Sequence, residues 1–110
     1  MSNPSVTYDA IVSEFAATNQ DLIVGNLFGK PCAKFEGKAF VAFFQDCMVF
    51  KMTADRCQEL IRLKPDSKLF DPSGKGRPMK EWVQVPSKYD ADWRDLASEA
   101  LVLLQLRLSK

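Results

Sequence analysis

Apolar residues near the start of the chain recur at the spacing of an amphipathic helix. The positions i, i+3, i+4, i+7 and i+8 are filled by Tyr8, Ile11, Val12, Phe15 and Ala16. Ser5 precedes them as the predicted N-cap. The pattern breaks at residues 18–20, and residues 21–27 fit neither a helix nor a strand clearly.

Residues 32–52 change to the pattern of β-strands. Apolar residues alternate with charged ones up to Glu36-Gly37, a dipeptide that favours a hairpin turn. In the segment 38–44, residues 39–44 are apolar on both faces, which is typical of a central strand, and a short polar turn separates them from residues 47–52. Three strands joined by two tight turns predict an antiparallel meander.

The second half of the chain alternates helix and strand signals. Thr53 is the predicted N-cap of a short helix with an apolar stripe. A short strand at residues 69–70 and a longer one at residues 79–85 follow, and Ser87 or Asp90 is the predicted N-cap of a last helix. Its predicted core residues are Trp93, Leu96, Ala97, Ala100, Leu101 and Leu104.

This order of elements predicts an α+β fold. We expect a mostly antiparallel sheet, made of a three-stranded meander plus one or two further strands, packed with about three helices. One domain spanning residues 1–110 fits the length of the chain. Its 46% apolar and 26% charged residues match ordinary globular usage, so disorder of the whole chain is not expected.

The last helix carries more apolar residues than one face can hold. Residues 101–108 are apolar nearly all round, and a helix of that kind is buried on more than one side. Either the core of the domain surrounds it, or a second chain packs against it. We therefore expect a protein partner, or a homodimer, to use this helix if the domain itself does not cover it.

The net charge and the absence of histidine limit the ligands, catalytic groups and metal sites that we expect. Lys and Arg number 15 against 14 Asp and Glu, so the chain lacks the basic excess of a protein that neutralises phosphates, and nucleic acid is not expected as a direct partner. Without histidine there is no Ser-His or Cys-His nucleophile pair and no histidine-containing zinc site. We expect no catalytic residues, no metal and no cofactor.

Three features of the sequence predict a cytoplasmic protein outside the membrane. The cysteines number three, which does not suit a secreted disulfide framework. The start of the chain lacks the pattern of a signal peptide. No apolar run approaches the ~20 residues that cross a bilayer.

A loop rich in glycine and basic residues precedes the strand that contains Trp82. Successive glycines let backbone N–H groups converge on an anion, and nearby cations add positive charge. The candidate ligand-binding residues are Gly74, Lys75, Gly76, Arg77, Lys80 and Trp82. Their spacing is not that of a P-loop or of a dinucleotide-binding loop, and a solvated loop whose glycines adopt positive φ is the alternative interpretation.

Trp82 and Cys32 each allow two interpretations. Trp82 either stacks on a ligand or packs in the core, because its neighbours two residues away are Lys80 and Gln84. Cys32 follows a predicted turn and has lysines nearby, which favour a reactive thiolate. Burial as a small apolar residue is the interpretation that we favour for it.

Three segments in order resemble the N-terminal domain of TfoX/Sxy-type proteins. They are Leu27-Phe28-Gly29 with Phe35-Glu-Gly-Lys-Ala-Phe40, then Asp46-Cys-Met-Val-Phe-Lys51, then Gly76-Arg-Pro-Met-Lys-Glu-Trp-Val-Gln-Val-Pro86. The resemblance implies an α+β domain with an antiparallel sheet. It also implies a link to natural competence, since full-length family members are regulators of transcription. It implies no catalytic residues.

Taken together, these features predict a non-enzymatic cytoplasmic interaction or regulatory module of the TfoX N-terminal type. The alternative is a domain that binds a small ligand or an anion, including an enzyme, through the Gly/Lys/Arg loop and Trp82.

Overall fold

The structure is a computed structural model that describes residues 3–109. In chain order its elements are α1 (Pro4–Thr18), β1 (Leu22–Leu27), β2 (Lys30–Phe35), β3 (Lys38–Phe44), β4 (Cys47–Lys51), α2 (Ala54–Leu63), β5 (Lys68–Phe70), β6 (Met79–Pro86), a single 3-10 turn (Ser87–Tyr89) and α3 (Asp90–Leu108). The predicted α+β fold with three helices is confirmed.

The six strands form one antiparallel sheet in the order β1-β2-β3-β4-β6-β5. The meander has four strands rather than the predicted three, because residues 22–27 pair with β2 in unbroken register from Leu22 opposite Phe35 to Leu27 opposite Lys30. The short strand expected at residues 69–70 is present as β5 and pairs with β6. The sheet therefore has six strands, one more than the largest number predicted.

Three two-residue turns connect the four strands of the meander. In each turn both residues have positive φ, as mirror-image hairpin turns require. The turns are Phe28-Gly29, Glu36-Gly37 and Gln45-Asp46. The hairpin predicted at Glu36-Gly37 is confirmed.

The helix starts agree only in part with the predicted caps. Thr53 caps α2 as expected, since its Oγ1 accepts a hydrogen bond from the Arg56 N–H at 3.2 Å. The N-cap of α1 is Asn3 rather than Ser5, because Asn3 Oδ1 accepts from the Ser5 N–H at 3.0 Å. The shorter Ser5 side chain lies already inside the first turn.

The start of α3 also differs from the prediction. The residue that flanks it is Tyr89, and no side chain caps the helix, so neither Ser87 nor Asp90 has the expected role. Ser87 lies in the 3-10 turn that leads from β6 into α3, and Asp90 is already the first helical residue. Its position in the first turn still suits the positive end of the helix dipole.

All three helices of the described chain pack on the same face of the sheet. The main core lies there and joins residues of each helix to inward residues of β2, β3, β4 and β6. Its largest fully buried side chains include Trp93, Phe40 and Phe50. The opposite face, called the back face below, has its own buried cluster, which consists of Cys32, Ala42, Val49, Phe70 and Trp82.

The core covers only one side of α3. All six predicted core residues of this helix are buried. On its outer side, however, Val102 is 50% exposed and Leu106 is 57% exposed. Within residues 3–109, no helix is both long and apolar enough to cross a membrane.

Candidate functional site

The glycine-rich loop between β5 and β6 is organised around the carboxylate of Asp71. Its Oδ2 accepts hydrogen bonds from the backbone N–H groups of Gly76 at 3.0 Å and Arg77 at 3.2 Å. Its Oδ1 accepts from the Gly74 N–H at 3.1 Å and from the Ser73 hydroxyl at 3.0 Å. The backbone donors predicted to converge on an anion do converge, and the anion that they bind is a side chain of the same loop.

The electrostatics of Asp71 follow from these contacts. Partial burial acts to raise the pKa of this carboxyl. The hydrogen bonds from the Ser73 side chain and from the three backbone N–H groups outweigh that effect together, so the pKa of Asp71 lies below its usual value. The loop therefore carries the negative charge of Asp71 at neutral pH. This charge lies in the same loop region as Lys75, Arg77 and Lys80, the cations that were expected to attract a ligand.

The predicted site residues are not brought together at one surface. Gly74 and Gly76 line a groove beside the sheet. Lys75, Arg77 and Lys80 are exposed and do not line it. Trp82 is only 6% exposed and belongs to the buried cluster of the back face, so packing, and not stacking on a ligand, is its role in this structure.

The side chain of Lys51 and the ring of Phe70 pack against Trp82, on a face that no helix of the described chain covers. The Lys51 Nζ lies 5.6 Å from the Trp82 ring centroid, and the Phe70 ring lies 6.4 Å from it. Lys51 also forms an ion pair with Glu81, at 3.1 Å from Nζ to Oε1. The aliphatic part of a lysine side chain can cover apolar surface while its ammonium stays in water. This explains how a lysine can lie over a buried tryptophan on the back face.

A groove of about 960 Å³ is bordered by the loop, by β5 and by the neighbouring ends of β2 and β3. Its basic lining residues are Lys30 and Lys68, and the Lys30 Nζ lies 5.1 Å from the ring centroid of Phe44, which also lines it. Two buried polar residues, Ser67 and Gln84, lie in its wall. The groove thus combines an aromatic ring, two cations and glutamine amides that can bind a small anion, although the Asp71 carboxylate, already bonded within the loop, also lines it.

The sequence interpretation missed the residues of this groove. The register of the sheet places Gln84 beside Lys68 on β5 and beside Val49 on β4, which in turn lies beside Ala42 on β3. Lys30 and Phe44 lie at the ends of β2 and β3. No spacing along the chain links these positions, so only the strand pairing reveals them.

The cysteines are buried to different degrees. Cys32 is fully buried, and burial raises the pKa of its thiol more than the nearby Lys34 lowers it. The favoured interpretation of Cys32 as a small core residue is therefore confirmed. The alternative interpretation of Cys32 as a reactive thiolate is wrong. Burial also raises the pKa of Cys57 to about 11. Cys47 is partly exposed, and its Sγ accepts a hydrogen bond from Gln84 Nε2 at 3.5 Å.

Among residues 3–109 there is no cluster of three or more Cys, Asp or Glu side chains that could hold a metal ion. No family model matches the chain, and no curated protein or solved structure matches it either. The resemblance to TfoX/Sxy-type N-terminal domains stays a prediction. What the protein does has to be inferred from its own surfaces.

Proposed function

We propose that this protein is a non-enzymatic interaction module that binds a partner protein through the last turns of α3. The observation that supports this is the incomplete burial of that helix. Residues 101–108 are apolar nearly all round, yet the domain covers only the side that carries Leu101 and Leu104. Val102 and Leu106 lie one helical turn apart on the other side, and both are at least half exposed.

The surroundings of these two side chains indicate the chemistry of the partner. Ser98 and Gln105, which are exposed on the same side of the helix, are uncharged, and Glu99, three residues before Val102, is paired with Arg56. Arg107 turns to Glu81, with 3.3 Å between its Nη2 and the Glu81 Oε2. An apolar stripe whose neighbouring side chains are uncharged or already ion-paired fits an apolar groove on another protein, in the manner of helix-in-groove recognition.

The resemblance to TfoX/Sxy-type proteins supports a regulatory role for this module. We also propose the cytoplasm as its compartment. The three cysteines are all unpaired, which suits a reducing environment. Direct binding to nucleic acid is not proposed, because the net charge of the chain is only +1.

Affinity capture from native cells with matched variants tests the α3 surface. The Val102→Lys, Leu106→Lys double variant should lose the proteins that the wild type retains, while the chain still folds, because both positions face solvent. Leu63→Lys is the control, since Leu63 is equally apolar and exposed but lies on α2. The proposal is refuted if the double variant retains the same partners as the control. Loss of self-association alone, seen by light scattering, would identify the partner as a second copy.

A second candidate function is the binding of a small anion in the groove beside the loop. The observation that favours it is that Lys30, Lys68 and the Phe44 ring line one groove of about 960 Å³, with the Lys30 Nζ over that ring. This differs from the site expected at Lys75, Arg77 and Lys80, since the loop donors already bind Asp71.

Thermal unfolding with phosphates, nucleotides and carboxylates tests the groove. A ligand at 100 times its Kd should add about 2.7 kcal/mol to the free energy of unfolding. The Lys30→Ala, Lys68→Ala variant should lose that shift, and the matched Lys75→Ala, Arg77→Ala variant should keep it. If only the loop variant loses the shift, the ligand binds at the loop as the sequence predicted. If no compound stabilises the wild type, the groove is not an anion site.

A further inference from the structure

The groove beside the loop contains a buried hydroxyl group without a hydrogen-bond partner. Ser67 is 6% exposed and lines the groove, and its Oγ makes no hydrogen bond within residues 3–109. Buried polar atoms are nearly always paired, so an unpaired one in the wall of a groove indicates a ligand atom as its partner. Two other buried polar atoms of the described chain are also unpaired, the Tyr8 hydroxyl and Trp93 Nε1, but they lie in the main core.

A second buried polar side chain in the same groove has unused hydrogen-bonding capacity. Gln84 is 4% exposed, and within the described chain its amide makes one hydrogen bond, from Nε2 to Cys47 Sγ at 3.5 Å. A thioether or thiol sulfur is a weak acceptor, and an amide carries two N–H groups. The second N–H of Gln84 is therefore available to an oxygen atom in the groove.

Lys68 adds a positive charge beside both of these groups. It follows Ser67 in the chain, and it lies opposite Gln84 in the pairing of β5 with β6. Residues that are directly opposed in this way have Cβ atoms about 4.5–5.5 Å apart. Ser67, Lys68 and Gln84, called the head site below, thus combine a hydroxyl, an ammonium and an amide. These are the donors that bind an oxyanion.

The loop end of the groove suits apolar groups better than a second anion. The Asp71 carboxylate lines the groove there, and it already accepts four hydrogen bonds from its own loop. Three residues of extended chain place it about 10 Å from Lys68, close to one Debye length in ordinary buffer, so its charge weakens the head site little. The apolar residues that line the groove are Phe44, Ile61, Leu69, Pro72 and Pro78.

We propose that the groove binds an organic acid with an apolar body, whose carboxylate or phosphate group occupies the head site. The Ser67 hydroxyl and the Gln84 amide donate to the oxygens of that group, and Lys68 neutralises its charge. The body lies along the apolar lining towards Pro72 and Pro78. A groove of about 960 Å³ is in the size range of sites for organic ligands, and a bare inorganic anion would leave most of it unfilled. This inference rests on the second candidate function and names the class of ligand.

Titration calorimetry of the full chain with homologous probes tests the ligand class. The probes are butanoate, hexanoate and octanoate, the alkyl phosphates of the same lengths, inorganic phosphate, and hexanol as a body without a charged head. Each methylene that the groove buries should lower the Kd by up to about fourfold. Hexyl phosphate should therefore bind more tightly than inorganic phosphate, and hexanoate more tightly than hexanol. The two acid series show which head group the site prefers.

Ser67→Ala tests the head site, because it should affect binding and stability differently. The Tm of the free variant should equal or exceed that of the wild type, since the substitution removes a buried hydroxyl that has no partner. Its Kd for hexanoate should rise about tenfold or more, since a hydrogen bond to a charged group is lost. Ser98→Ala, at an exposed serine of α3, is the matched control and should change neither quantity.

Lys68→Gln tests the charge of the head site at an exposed position, where the fold does not depend on the side chain. It should weaken the binding of every acid and leave that of hexanol unchanged. Lys68→Arg, which keeps the charge, should retain most of the affinity for the acids.

The outcomes separate this inference from the function on which it rests. If neither inorganic phosphate nor any organic acid binds, the groove is not an anion site and both fail. If acids bind without a gain from chain length, or hexanol binds as tightly as hexanoate, the ligand class is wrong. A Kd for hexanoate that Ser67→Ala leaves unchanged would overturn the head site, and so would a lower Tm of that variant without ligand, which would make the hydroxyl structural.

Discussion

The Asp71 carboxylate accepts a hydrogen bond from the Gly76 backbone N–H at 3.0 Å, five residues further along the chain. This contact changes the role that we assign to the glycine-rich loop. Glycines that bring N–H groups together are often read as a site for phosphate. Here the convergence stabilises the loop itself, and any external anion would have to displace an aspartate held by four hydrogen bonds.

We predict that the order of this loop depends on pH through Asp71. Because the folded-state pKa of Asp71 is lowered, its contribution to stability is present above the unfolded pKa of ~3.9 and is lost as pH falls through the folded value. Amide exchange at Gly76 and Arg77 should therefore accelerate on acidification. In Asp71→Asn the exchange should be faster at neutral pH and show no such transition. A Gly76 amide with equal protection in both proteins would contradict this assignment.

The elements that have at least one buried face could be predicted from the sequence. The helices follow a 3.6-residue apolar period, and β3 and β4 are apolar on both faces because the helices cover one face and the buried cluster of the back face occupies the other. β1 gave no clear signal because it lies at the edge, where only Leu22 is buried. A strand without a buried face leaves neither alternation nor a continuous apolar run to detect.

The residues of the candidate site could be predicted less well than the fold. Lys80 and Gln84, two residues on either side of Trp82, suggest an exposed position, but here the side chain of Lys51 lies over the ring. The loop motif identified the convergent N–H groups correctly but could not show that Asp71 accepts their bonds. Lys30 and Lys68 meet at the groove only because of strand order, which a single sequence does not specify.

We predict that Trp82 contributes to stability as a core residue despite lying on a face without helices. Trp82→Ala should lower the free energy of unfolding by about 3–5 kcal/mol, the usual range for a buried tryptophan. Leu63→Ala, at a side chain that is 60% exposed, should change it by no more than about 0.5 kcal/mol. Urea unfolding of both variants measures this. Equal effects of the two substitutions would mean that Trp82 is exposed in solution.

The hairpin turns give a paired prediction about backbone strain. Asp46 has φ 60° without the freedom of glycine, while Gly37 occupies the same turn position with φ 81°. Asp46→Gly should stabilise the protein by about 1 kcal/mol, and Gly37→Ala should destabilise it by about 1 kcal/mol. A Cβ at Gly37 would meet no atom within 4 Å, so its cost is conformational and not steric. Asp46→Ala, which removes the charge but keeps a Cβ, should give no gain.

Native thiol labelling should distinguish the three cysteines. Cys32 and Cys57 are fully buried, and burial raises the pKa of Cys57 to about 11, so little thiolate exists there at pH 8. Cys47 is partly exposed. We expect one thiol to react fast, and Cys47→Ser should abolish that phase. A fast phase that persists in this variant would show that Cys32 or Cys57 becomes accessible by local opening.

The contact between α2 and α3 rests partly on a two-pronged ion pair. Arg56 Nε lies 2.7 Å from Glu99 Oε2, and Arg56 Nη2 lies 3.0 Å from Glu99 Oε1. Both side chains are about one-third exposed, which limits screening but does not remove it. A double-mutant cycle with Arg56→Ala and Glu99→Ala should give a coupling energy of about 1 kcal/mol, at the upper end for pairs of this exposure. Arg56→Lys should lose most of it, because an ammonium cannot make both bonds in parallel.

The pair of Arg94 with Glu14, which joins α3 to α1, is the matched control for that cycle. It has the same arginine–carboxylate chemistry, but both side chains are more exposed than in the first pair. Its coupling should be weaker and should disappear in high salt, whereas that of Arg56 and Glu99 should persist in part. Equal coupling and equal salt dependence would show that burial does not set the strength of these contacts.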